Sequence, residues 1–156
     1  MWFRKRQSEP FDRPTPPESV TLPPVGHVRN DVVKPRPQGW EKVESTIALL
    51  PEHEQRIIGI EAYSHLIVVF YMDLAEDAPE KPETLTLRSG NTYGIFATRS
   101  QLRPNHLGVS VVELLGVSGA ELRVRGLDAI DGTVVLDIKP YLPEYDARPD
   151  ARIPRA

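Results

Sequence analysis

Between Gly94 and Ser110 the chain reads GIFATRSQLRPNHLGVS, and its polar residues are of the kind that bind anions. Arg99 and Arg103 share a loop with Ser100, Pro104 and Asn105, and apolar runs stand on both sides. An arginine fork matches the geometry of a carboxylate or phosphate, and backbone N–H groups in a tight loop reinforce it. The loop is expected either to hold an anionic or zwitterionic group or to be stiffened by pairing of its arginines with acidic neighbours. Pro104-Asn105 is also an ordinary turn signal. A second stretch, Gly126 to Tyr141, reads GLDAIDGTVVLDIKPY. Asp131-Gly132 predicts a hairpin turn. Asp137 interrupts an apolar run, and a carboxylate entering a core needs a partner. That partner is Lys139 or a loop arginine in a structural ion pair, or else the carboxylate binds a ligand ammonium or ribose hydroxyl.

Other chemistries find no support. His27, His53, His65 and His106 show no metal-ligand spacing, so no metal is expected. His65, in YSHL, reads as a hydrogen-bonded structural residue. There is no Gly-rich phosphate loop, nucleophile elbow or zinc-deaminase signature. Absence of cysteine excludes disulfides and thiolate metal sites. The longest apolar run, Leu66 to Met72, is far short of the roughly 20 residues that span a bilayer. The basic start MWFRKR is followed by proline and charge, not by the apolar stretch of a signal peptide. A cytoplasmic protein with no membrane contact is expected.

Net charge is −3, which argues against gripping nucleic acid by overall electropositivity. The charge is uneven, however. Residues 41–90 hold four Lys/Arg against ten Asp/Glu, whereas residues 1–40 hold seven against four. A local basic surface can still be assembled from the outer sections.

The elements that must position these residues are mostly strands. Residues 1–22 are rich in proline and charge and are expected to form a disordered arm. A globular domain follows over 23–145, then a tail over 146–156. Strands are predicted within VGHVRNDVV, KVESTIALL and HLIVVFYM, the last buried on both sides, and at about 94–98, 109–117, 121–127 and 133–139. In ELRVRGL, Leu122, Val124 and Leu127 should point inward while Glu121, Arg123 and Arg125 face out. PEHEQRIIGIEAY predicts the one substantial helix, with Pro51 in its first turn and Glu52 and Glu54 at its positive end. Residues 73–92 read as an acidic surface loop. Many short strands with one short helix imply a mainly β domain, and a closed, single-sheeted barrel removes exposed edges.

The two motif stretches together resemble the TsaA-like (TrmO) family, S-adenosylmethionine-dependent tRNA methyltransferases. The family pattern runs G-[VI]-F-A-T-R-S-x-x-R-P-N-P-[IL]-G-x-S, then L-D-x-x-D-G-T-P-[VL]-x-D-I-K-P-Y. GIEAYSHLIVVF and PPVGHVRND resemble two further family segments, so the likeness spans roughly Val25 to Pro143. The resemblance implies a β-barrel homodimer that methylates N6 of N6-threonylcarbamoyladenosine at tRNA position 37, with the cofactor near the subunit interface. It places cofactor contacts on Arg99, the Gly108-Val109 backbone and the turn of Arg125, Gly126, Leu127 and Asp128. Arg103, Asn105, Asp131, Lys139 and Tyr141 become candidates for the substrate and catalytic side. A family P-R-Q segment appears here only as PRPQ, which makes Arg36 and Gln38 cofactor candidates. His106 and Val134 replace prolines of the pattern, and Asp73-Leu74 stands where many members have His-Gln. The chain ends soon after the barrel. Two alternatives remain: a same-fold methyltransferase acting on a small molecule, and a non-catalytic S-adenosylmethionine-binding protein.

Overall fold

A computed structural model describes residues 12–75 and 81–154. The described residues form eight strands: β1 (Gly26–Arg29), β2 (Glu44–Leu49), β3 (His65–Tyr71), β4 (Thr84–Thr86), β5 (Thr92–Gly94), β6 (Leu107–Ser118), β7 (Glu121–Arg125) and β8 (Val134–Pro140). Six of them close into one barrel in the order β1-β2-β7-β6-β3-β8, and β4 and β5 form a separate hairpin. Neighbouring barrel strands are antiparallel throughout.

Period-2 alternation explains the closure. Val28, Ile47, Leu66, Val68, Leu122, Val124 and Val135 project inward and are fully buried, with Val112 beside them. Leu127, one residue past the turn after β7, completes this core. Glu121 and Arg123 face outward, as the alternation of ELRVRGL requires. β7 stops at Arg125 because Gly126 has φ +89° and turns the chain away.

The predicted helix over Pro51–Tyr63 is absent. The segment forms two 3-10 stretches, Pro51–Ile57 and Ile60–Ala62. Gly59, at φ +84°, separates them, and a left-handed residue cannot continue a right-handed helix. Of the described residues, only α1 (Pro143–Asp146), a single turn, is α-helical. The expected strand at 94–98 is also replaced: β5 ends at Gly94 and Ile95–Ala97 makes a 3-10 turn. Ile95 turns inward there while Phe96 is 78% exposed. β3 differs in a more informative way. Leu66, Val68 and Phe70 are buried, but Ile67, Val69 and Tyr71 are only half-buried. They face outward beside Val111, Val109 and Leu107 of β6, so the continuous apolar run reflects an apolar outer face. Within the expected surface loop 73–92, β4 and part of a hairpin are ordered. Residues 12–22 have no regular secondary structure and are exposed; the rest of the expected arm, 1–11, lies outside the described residues.

Candidate functional site at the barrel mouth

Where β3 ends and β6 begins, a cleft of ≈ 1300 Å³ opens. Phe70, Met72, Ala129 and Thr133 contribute apolar and small side chains to it. The loop Thr98–Arg103 lines it, as do Pro35, Arg36, Pro37 and Trp40 and the hairpin residues Leu85 and Leu87. Gly108 is required at this spot because a Cβ there would collide with the Phe70 ring.

The arginine loop is fastened from within. Thr98 Oγ1 donates to the Ile95 carbonyl (2.8 Å), and the Ser100 N–H donates back to Thr98 Oγ1 (3.2 Å). Arg103 Nη1 donates to the carbonyls of Thr98 and Ser100 (3.1 and 3.0 Å). Neither loop arginine forms a salt bridge among the described residues, so the acidic pairing considered for them is not what stiffens the loop. Arg99 Nη2 donates to the Val109 carbonyl (3.0 Å). The Arg99 charge also acts on Asp128, whose carboxyl is pushed above the ordinary aspartate value by burial, the larger influence, and pulled down by Arg99. Although Asp128 is open to solvent at the cleft, the surrounding protein still disfavours its charge. The Asp128 N–H faces Ser110 Oγ at 3.4 Å.

His106, at the position of a motif proline, locks the far end of the loop. Its φ is +49°, unique among the described non-glycine residues, and it is 2% exposed. Its N–H donates to the Arg103 carbonyl (3.1 Å), and its own carbonyl accepts from Met72 (2.8 Å). Nδ1 contacts the Gln101 carbonyl at 3.1 Å, which puts the ring proton on Nδ1, since a carbonyl only accepts. Nε2 has no partner among the described residues. Proline could supply neither this φ nor the N–H.

The fold thus gathers Arg36, Arg99, Arg103, Gly108, Val109 and Asp128 around one cleft. Other sequence candidates stand elsewhere. Gln38 and Asn105 are exposed loop residues outside the cleft lining. Arg125 lies on the barrel exterior, where it bridges Glu44 (3.0 Å) and Glu113 (2.7 Å), and Gly126 and Leu127 lead from it toward Asp128. Asp131 Oδ1 accepts the Asn30 N–H (3.0 Å), tying the β8 turn to the end of β1. Asp137 sits at a register shift between β3 and β8 and pairs with Lys139 at 2.8 Å, which raises the lysine's pKa. The ion pair is the reading that holds. Tyr141 donates its N–H to the His65 carbonyl at the opposite end of β3 from the cleft. His65 itself pairs with Ser64 Oγ (2.8 Å), in keeping with a structural role. Among the cleft residues, Trp40 carried no sequence argument, and Asp73 entered only as a departure from the family pattern. An aromatic just after a Pro-rich turn was the available signal for Trp40.

A closed antiparallel barrel with a cation and a carboxylate at its mouth is distinct from parallel-sheet nucleotide-binding folds. The chain belongs to the family described as the tRNA-methyltransferase O N-terminal domain, which matches residues 29–147. A probable S-adenosyl-L-methionine-binding protein of Pyrococcus abyssi is 34% identical over 142 residues, 88% of this chain and 76% of the relative. The tRNA (adenine(37)-N6)-methyltransferase of Escherichia coli is 42% identical over 99 residues, 60% of this chain and 42% of that enzyme. A crystal structure of TrmO superposes with a TM-score of 0.70 at 36% identity, covering 86% of this chain and 63% of the other. The chain therefore spans under two thirds of that structure and under half of the bacterial enzyme.

Proposed function

We propose that this chain is an S-adenosylmethionine-dependent methyltransferase acting on N6 of adenosine 37, in its N6-threonylcarbamoyl form, beside the tRNA anticodon. The observation that carries the cofactor assignment is the convergence of Arg99 and Asp128 on one cleft. A zwitterionic amino acid joined to a nucleoside needs a cation for its carboxylate and an acceptor for its ammonium or ribose hydroxyls. Arg99 and Asp128 fit those needs, while the Gly108-Val109 backbone can approach a ligand closely because Gly108 has no side chain. Gly126 and Leu127 carry Asp128, and Arg125 anchors the start of that turn through its two carboxylates.

When bound, the cofactor supplies an electrophilic methyl group on a sulfonium that is its own leaving group. The protein's task is then alignment of the exocyclic amine with that methyl, and exclusion of alternatives. Phe70, Met72 and Leu107 present apolar surface to the cleft. A nucleotide beside the anticodon is already in a loop, so it enters a pocket without melting a helix. Transfer of labelled methyl to tRNA from a deletion strain, with nucleoside mass spectrometry, tests the reading. No transfer, together with unchanged N6-methyl content in the deletion strain, removes it.

A homodimer is part of the proposal. Val109 and Val111 are 46% and 50% exposed and stand beside Val69 and Ile67, an apolar outer face that adjoins the cleft. At ~3.3 Å per residue along β3, Lys139, which pairs with Ile67, lies about 10 Å from Phe70 of the cleft, and Tyr141, bonded to His65, about 17 Å. Neither lines the cleft, and in this proposal a second copy delivers them to it. We place the protein in the cytoplasm with its tRNA substrate.

A further inference from the structure

Asn30 is half-buried just past β1 and does not line the cleft, yet its side chain joins two segments that do. Its Nδ2 donates to the Ala129 carbonyl (2.9 Å) and to Ser45 Oγ of β2 (2.9 Å). Its Oδ1 accepts the Val32 N–H (2.9 Å), and its own N–H donates to Asp131 Oδ1 (3.0 Å). The Asp131 N–H closes the circuit on the Val32 carbonyl (2.8 Å). Asp128 and Ala129 line the cleft, as do Pro35 and Arg36 shortly after Val32. The pattern requires an amide: Val32 offers a donor and the Ala129 carbonyl an acceptor, so one short side chain must carry both an oxygen and an NH2. Ala129 and Ser45 are buried, and a buried polar group that loses its partner is destabilising.

We infer that Asn30 is a positioning residue for the cofactor: by joining Val32 to Ala129 it holds the Pro35–Arg36 segment and the Asp128 turn at the spacing that S-adenosylmethionine needs. Those segments belong to the β1–β2 and β7–β8 connections, and Asn30 and Ala129 are 99 residues apart in the chain. The ladder between β1 and β8 pairs Gly26 with Val135 and His27 with Val134. Val28 extends it through bonds to Thr133 and Gly132 (2.8 Å each). Past that point Asn30 carries the join into the loops, where the cofactor candidates stand. Walls already held at the right separation lose less freedom when a ligand enters, and affinity rises accordingly. The inference rests on the cofactor half of the proposed function and adds to it a residue that touches no ligand.

Variants that cut different links test this. Asn30→Ala removes every side-chain bond of the clamp. Asn30→Asp keeps an oxygen for Val32 but sets another against the Ala129 carbonyl, and Ser45→Ala removes only the bond to β2. Calorimetry should show S-adenosylmethionine bound roughly ten- to hundredfold more weakly by both Asn30 variants, the effect of misplacing a binding group by about 1 Å. Ser45→Ala should melt earlier than wild type yet keep its affinity, since β2 carries neither wall. In methyl transfer to tRNA, the cofactor KM should rise in the Asn30 variants while kcat at saturating cofactor stays within a few-fold of wild type, because excess cofactor draws the walls together. If neither Asn30 variant folds, the exposed Asp131 carries the test: Asp131→Ala should weaken binding several-fold, and Asp131→Asn, which keeps the acceptor, should restore it. Folded Asn30→Asp with wild-type affinity overturns the inference. So does Ser45→Ala losing affinity in step with Asn30→Ala, for the loss then follows stability, or Asp131→Ala binding like wild type. Wild-type protein that binds S-adenosylmethionine without methylating tRNA sinks the proposed substrate and not the clamp; wild-type protein that binds no S-adenosylmethionine sinks both.

Discussion

Asp128 concentrates the chemistry of the site in one carboxyl group. Burial holds its pKa above the ordinary value, and Arg99 partly offsets that. The folded state therefore retains this proton more strongly than the unfolded chain does, so stability falls as pH rises from the ordinary aspartate range through the raised folded value. Above that window the ionised carboxylate works against folding. Asp128→Asn should accordingly melt at a slightly higher temperature than wild type at neutral pH, while calorimetry shows S-adenosylmethionine binding lost. Arg99→Ala acts in the opposite sense on the carboxyl. Removing the cation lets the Asp128 pKa climb further, so the pH below which cofactor affinity declines should move up. At neutral pH the same variant should bind the cofactor roughly ten- to hundredfold more weakly, the value of a charge-assisted hydrogen bond of about 1.5–3 kcal/mol. Titration calorimetry across pH reads both effects.

At the scale of elements, the loop between β5 and β6 decides whether those residues meet. His106 is its lock, and the lock depends on a backbone angle closed to proline. His106→Pro restores the residue of the family pattern yet should destabilise the protein by about 1–3 kcal/mol, because φ must leave the left-handed region and a hydrogen bond is lost. His106→Asn, which tolerates that region, should be milder in thermal unfolding. Gly108→Ala would press a methyl into the Phe70 ring, with an overpacking cost of about 1–3 kcal/mol. Its cofactor affinity should fall as well, since both residues line the cleft. The hydrogen bonds of Arg103 to Thr98 and Ser100 belong to this scale too: as it stands, the residue expected on the substrate side is a staple of its own loop.

At the scale of the whole molecule, the barrel exterior has two characters. Around β7, arginines are committed to carboxylates, Arg29 to Glu121 and Arg125 to Glu44 and Glu113. Around β3 and β6 it is apolar, through Ile67, Val69, Val109 and Val111. Paired Ile67→Lys and Val111→Lys changes should convert the proposed dimer to monomer in light scattering without unfolding it. If Lys139 and Tyr141 serve the partner's cleft, mixing inactive Arg99→Ala and Lys139→Ala chains should restore activity. An isologous exchange leaves roughly a quarter of sites intact.

The barrel was legible because inward apolar residues at every second position, as in Leu122 and Val124, admit no other pairing of faces. The two motif loops were legible because arginine, aspartate and glycine cluster there. Three features were not. Gly59 carries no mark that distinguishes a tolerated helix glycine from a left-handed break. Asp137 reads as a core intrusion until a register shift moves it outward to Lys139. Nothing local says that Trp40 and Asp128 line one cleft, because chain segments some ninety residues apart meet only through closure of the sheet. The sequence alone determined strand periodicity, the absence of thiol chemistry and the residue types of the two loops, all set by local pattern and composition. Only the tertiary structure decided which of those side chains share a cleft, since barrel closure and β6–β3 register fix distances that no spacing along the chain encodes.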